Sequence, residues 1–109
     1  MRRGSDVAEI AATAGRAALA VPGVAGLSPR VAERLWPVGA GGRTPGVRVV
    51  GRAAPERTAV DIWLAVRTGH QATAVARQVR VAVIEALHGE HPRVWATDVT
   101  VAVTVTAIV

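Results

Sequence analysis

Residues 97–108 alternate without a break: Val99, Val101, Val103 and Val105 fall to one side, Thr100, Ala102, Thr104 and Thr106 to the other. Side chains of an extended strand point alternately to its two faces, so this period reads as a strand with one apolar face. The run has no Pro and no charged residue after Asp98. Left unpaired, such a strand would be a template for aggregation. The expectation is therefore a sheet with this strand inside it rather than at an exposed edge.

Other segments supply that strand with neighbours and cover. Residues 47–52 and 58–68 read as two strands joined through Ala54-Pro55-Glu56-Arg57. In the second, Val60, Ile62, Leu64 and Val66 share one face, and Asp61, Trp63, Ala65 and Arg67 the other. Gly69-His70-Gln71 turns the chain into a helix over about 72–88, on which Val75, Ala76, Val79, Ala82, Val83, Ala86 and Leu87 make one apolar arc. Val81 and Ile84 fall outside it, and Gly89 followed by Pro92 reads as a stop.

A first helix opens at Ser5 or Asp6, with Glu9 completing a capping box after Asp6, and Pro22-Gly23 ends it. Its apolar positions are Val7, Ile10, Ala11, Ala14, Ala18 and Val21. Residues 24–27 read as a brief strand. Ser28-Pro29 starts a possible short helix over 31–35, with Pro at the first helical position, and the Gly- and Pro-rich stretch 37–46 reads as a loop. The order is α-β-β-α-β with that possible extra helix. It describes an α+β two-layer sandwich, a sheet of about three strands with two main helices on one face.

The 109 residues suffice for one domain, read as 5–109 behind a flexible stretch 1–4. Half the chain is apolar, yet it has three Trp and no Phe or Tyr, so the core must close through small side chains. All thirteen basic residues are Arg, a bias that GC-rich codon usage explains more simply than guanidinium chemistry. The net charge of +5 permits contact with an acidic surface without demanding nucleic acid. Absent cysteine excludes disulfides and thiolate chemistry and suits a reducing cytoplasm. No stretch reaches the roughly 18–20 apolar residues of a membrane span, and Asp6, Glu9 and Arg16 interrupt any signal-peptide core.

Three stretches together resemble the alkaline shock protein family. The first runs from Ile10 through the helix into Val21-Pro22-Gly23-Val24-Ala25-Gly26-Leu27-Ser28. The second is Val60-Asp61-Ile62-Trp63-Leu64-Ala65-Val66-Arg67-Thr68-Gly69, where Thr68 stands in place of the family's usual aromatic residue. The third is Val75-Ala76-Arg77-Gln78-Val79-Arg80, followed by the final strand from Asp98-Val99. The resemblance covers roughly 7–108. It implies a non-enzymatic envelope stress protein of Gram-positive bacteria, cytoplasmic or peripheral at the membrane through a membrane-anchored partner, and self-associating.

The residues themselves point to no catalyst. Gly39-Ala40-Gly41-Gly42-Arg43-Thr44 lacks the lysine of a phosphate-binding loop and precedes a strand, so it reads as a plain loop. His88, Glu90 and His91 form a conceivable metal cluster but lack a further ligand set, and a solvated helix end is the simpler reading. Ser5 and Ser28 read as helix caps. Asp61, Glu85 and Asp98 form no acid–base pair of defined spacing. No catalytic residue, metal or cofactor is expected.

Candidate interaction residues are Trp63, on the strand face opposite the valines, together with Val81 and Ile84. The leading expectation is a scaffold whose partners are itself, as a homo-oligomer, and a membrane-anchored protein. The alternative is a single-stranded nucleic-acid module using the arginines and an open sheet face, on which Trp63 would stack bases. Packing under a loop or in a protein contact is the plainer role for Trp63. Trp36 and Trp95 read as core plugs.

Overall fold

The computed structural model describes residues 3–28, 46–53, 56–92 and 98–109. Its elements are α1 (Arg3–Leu19), β1 (Val24–Leu27), β2 (Val47–Ala53), β3 (Glu56–Val66), α2 (Ala72–Glu90) and β4 (Asp98–Ile108). The expected short helix over 31–35, most of the Gly-rich loop, and Trp36 and Trp95 lie outside the described residues.

The architecture is the expected α+β sandwich, with both helices packed on one face of the sheet. β3 supplies the centre of the core: Val60, Ile62, Leu64 and Val66 are all fully buried. Val75, Val79, Val83 and Leu87 meet them from α2, and Ile10, Ala11, Ala14 and Ala18 from α1. Burial of each valine or leucine is worth roughly 1.5–3 kcal/mol. The alanines of α1 lend little transfer energy but let the helix backbone lie close to its neighbours, which a core without Phe or Tyr requires.

β3 is also the centre of the sheet. β1 pairs antiparallel with its C-terminal end, Val24 opposite Val66 and Leu27 opposite Leu64. β2 pairs antiparallel with the rest, from Val47 opposite Ile62 to Ala53 opposite Glu56. β4 runs parallel to β3 along 57–66, with Val101 opposite Val60 and Val103 opposite Ile62. Because β4 occupies one side of β3 throughout, β1 and β2 share the other side, end to end. They are two halves of one interrupted lane: Ser28 N–H donates to the Trp63 carbonyl at 2.7 Å, and Trp63 N–H to the Gly46 carbonyl at 2.9 Å.

The join between these halves depends on Gly46, at φ +80. A Cβ there would lie 2.7 Å from Leu27 Cβ and 3.0 Å from Ser28 N. Gly23, at φ +96, makes the other tight approach, between the end of α1 and the start of α2. Its Cβ would sit 2.8 Å from both His70 Nδ1 and Val75 Cγ2. The Val-Pro-Gly turn thus works as a close spacer as well as a helix stop.

The expectation that the last strand lies inside the sheet is overturned. β4 is an edge strand, paired with β3 alone among the described residues. Alternation specifies which face a residue takes and is silent about neighbours. The β3–α2–β4 crossover returns the chain to the one side of β3 that β1 and β2 leave vacant.

Smaller departures concern helix ends. α1 begins at Arg3, ahead of the expected caps Ser5 and Asp6, which fall within its first turn. α2 continues past Gly89 to Glu90, and its last turn is closed by His91 N–H donating to the Leu87 carbonyl at 2.8 Å. Ser28, the other expected cap, directly follows β1 and has its hydroxyl engaged with Thr106.

Candidate interaction surface

The helices cover one face of the sheet, so the opposite face carries the alternate residues of each strand. Near the hairpin end lies a groove of about 600 Å³, lined by Arg48, Val50, Arg57, Ala59, Asp61 and Thr100 of this face together with Thr58 and Val99 of the opposite phase. Arg48 sits opposite Asp61 in the β2–β3 register, so the groove's one acidic residue is paired across the strands with a basic one. Neither a histidine nor a thiol lines it. Arginines and hydroxyls there can hold an acidic or amide group but provide no nucleophile activated by a base.

At the other end of this face the sheet is distorted on both sides of one residue. β1 bulges between Val24 and Gly26, and the β3–β4 register shifts between Leu64 and Ala65, leaving Thr106 as the additional residue of β4. Two bulges flanking Ala65 twist this end strongly. Thr106 Oγ1 donates to the Leu64 carbonyl at 3.1 Å, so its contact with Ser28 Oγ at 2.6 Å has serine as donor. This hydroxyl chain spans the central strand and ties both outer lanes together.

Trp63 occupies the middle of this face, opposite Thr104 in the β3–β4 register. It is nevertheless only 8% exposed. Its strand phase is as the sequence indicates, but the ring is not offered to solvent as a stacking platform. Ile84, expected to point away from the core, is half-buried and packs against the core cluster. Val81 is 51% exposed on the outer side of α2. Of the three expected contact residues, only Val81 presents its side chain freely, and the structure does not bring the three into one patch.

The helix-end cluster has a structural use. Thr13, buried in α1, lies 2.9 Å from His91 Nε2 and 3.4 Å from Glu90 Oε1. Arg16 reaches both Thr13 and Glu90, at 3.3 and 3.2 Å. These contacts fasten the C-terminal end of α2 to the middle of α1. The Arg16–Glu90 pair is largely exposed, which places its contribution near the low end, within about 0–1 kcal/mol. Among the described residues, no group of three or more His, Asp or Glu side chains is arranged to hold a metal.

The feature that sequence reasoning missed is the outer edge of β4. Thr100, Ala102 and Thr104 are exposed on one face, and on the other Val99, Val103 and Val105 remain half-buried although they face the helix layer. Of the four valines on that face only Val101 is buried, at 7% exposed, where Val60, Ile62, Leu64 and Val66 of β3 are at 0%. The alternating run was visible in the sequence, but its position at an edge was not. Among the described residues, no helix is long and apolar enough to cross a membrane. Compared with protein-family models, curated proteins and solved structures, the chain finds no match.

Proposed function

We propose that this chain is a non-catalytic protein-interaction module that works by self-association, with a role at the cell envelope as in the alkaline shock proteins it resembles. The observation that carries the reading is β4: a long edge strand, uncharged from Val99 to Ile108, with no strand paired to its outer side among the described residues. Edge strands in proteins that stay single are blunted by charges, prolines or covering elements. Over residues 99–105 this one carries neither charge nor proline. Exposed Val81 offers a separate place on α2 for a membrane-anchored partner, which would keep the protein peripheral.

The nucleic-acid alternative rests on Arg48 and Arg57 in the groove and on net charge, and it loses its stacking group to the burial of Trp63. Sedimentation over a wide concentration range, with a parallel titration of single-stranded oligonucleotides at low salt, separates the two readings. The expected outcome is a mass that rises with concentration and no oligonucleotide binding. A strictly monomeric protein whose oligonucleotide affinity falls steeply with salt would overturn the proposal.

A further inference from the structure

The valine face of β4 is incompletely covered, in contrast to that of β3. Val60, Ile62, Leu64 and Val66 are fully buried, whereas Val99, Val103 and Val105 face the same layer and are only half-buried. The uncovered apolar surface therefore runs along the sheet's outer edge, beside a row of backbone groups with no strand opposite among the described residues. A strand laid against that edge would extend the sheet and bring its own apolar cover. β4 itself has the pattern such a strand requires.

We propose that β4 pairs edge to edge and antiparallel with β4 of a second copy, about a two-fold axis passing Ala102. The inference rests on the self-association reading and specifies its contact. Directly opposed residues of an antiparallel pair project to the same face. An axis at Ala102 sets Val99 opposite Val105, Val101 opposite Val103, Thr100 opposite Thr104, and Ala102 opposite itself. Every valine meets a valine, and every open-face residue meets Thr or Ala. The pairing uses all of 99–105 and stops short of both Asp98 and the bulge at Thr106. Shifting the axis by one residue brings either Thr106 or Asp98 into the register. No charged side chain lies within 99–105, so no like charges confront each other across the axis. Such an axis stands perpendicular to the sheet and keeps both helix layers on one side. The contact is isologous and closes as a dimer.

Because the chain has no cysteine, one introduced thiol reports the register without competition. Ala102→Cys places the two Cα atoms about 5 Å apart across the axis, within disulfide reach. Thr104→Cys leaves its two copies roughly 14 Å apart, out of reach, given a rise of about 3.4 Å per residue. Mild oxidation is expected to convert Ala102→Cys to a covalent dimer and to leave Thr104→Cys monomeric on a denaturing gel.

A charge pair gives an independent readout on residues whose side chains are exposed, and circular dichroism checks that each variant is folded. Thr100→Lys with Thr104→Glu sets opposite charges across the axis twice and retains self-association by sedimentation. Thr100→Lys with Thr104→Lys sets like charges there and weakens it by about tenfold or more. A self-associating native protein in which Ala102→Cys does not cross-link and the two charge variants behave alike overturns the β4 register while leaving the scaffold reading intact. A native protein that is monomeric at every concentration overturns both.

Discussion

Trp63→Ala is expected to lower stability by about 3–5 kcal/mol, the usual cost of truncating a buried aromatic residue. Among the described residues the ring is the largest side chain on the sheet face away from the helices, and it is only 8% exposed. It stands on the central strand, whose backbone at this residue also holds the two halves of the interrupted lane, at Ser28 and at Gly46. A domain of this size has only about 5–15 kcal/mol in hand. The variant should therefore melt many degrees lower, or be partly unfolded at 37 °C. Urea denaturation checks the change. A stability within about 0.5 kcal/mol of the native protein, the range of ordinary surface substitutions, would mean that Trp63 is a surface group after all and would restore the stacking alternative.

Gly46→Ala is the second substitution expected to cost heavily, although it adds a single methyl group. The left-handed backbone at φ +80 costs an L-residue about 1–2 kcal/mol. The new Cβ would also meet Leu27 Cβ at 2.7 Å, with the Trp63 carbonyl at 3.2 Å. Those partners are backbone or directly attached to it, so they cannot rotate away. Overpacking of this kind adds roughly 1–3 kcal/mol, and the total is expected near 3 kcal/mol by the same denaturation measurement. Gly26→Ala is the matched control, because a Cβ there meets nothing within 4 Å and its φ is not positive. Equal losses in the two variants would show that the join between β1 and β2 is not as tight as described.

Legibility in the sequence followed what periodicity can encode. The faces of β3 and β4 and the arc Val75–Val79–Val83–Leu87 on α2 were readable, because face depends only on local phase. Partner order was not. Nothing in 97–108 distinguishes a strand with two neighbours from one with a single neighbour, so the alternation does not reveal that β4 lies at an edge. The interrupted lane is equally hidden, since Ser28 and Gly46 are far apart in sequence and the join is marked only by one glycine. The phase of Trp63 gives its face but not what lies above that face, so a covered ring, the plainer reading, and an open stacking platform are separated only by its 8% exposure. Ile84 is half-buried for a related reason: a buried arc has flanks, and residues on a flank are half-covered by neighbouring elements rather than free. The helix-end cluster around Thr13 escaped notice because Thr13 and His91 are distant in sequence and meet only when α1 and α2 pack together.

The most direct test of the central claim is residue-resolved amide hydrogen exchange of β4 at low and high protein concentration. In a dilute monomer, alternate amides of 99–105 donate towards β3 and are protected, while those between them face the open edge and exchange quickly. The second set alone is expected to gain protection as concentration rises, by a factor that tracks the dimer fraction. Uniformly unchanged exchange along the outer edge of β4, in a protein that sedimentation shows to be associating, would contradict it.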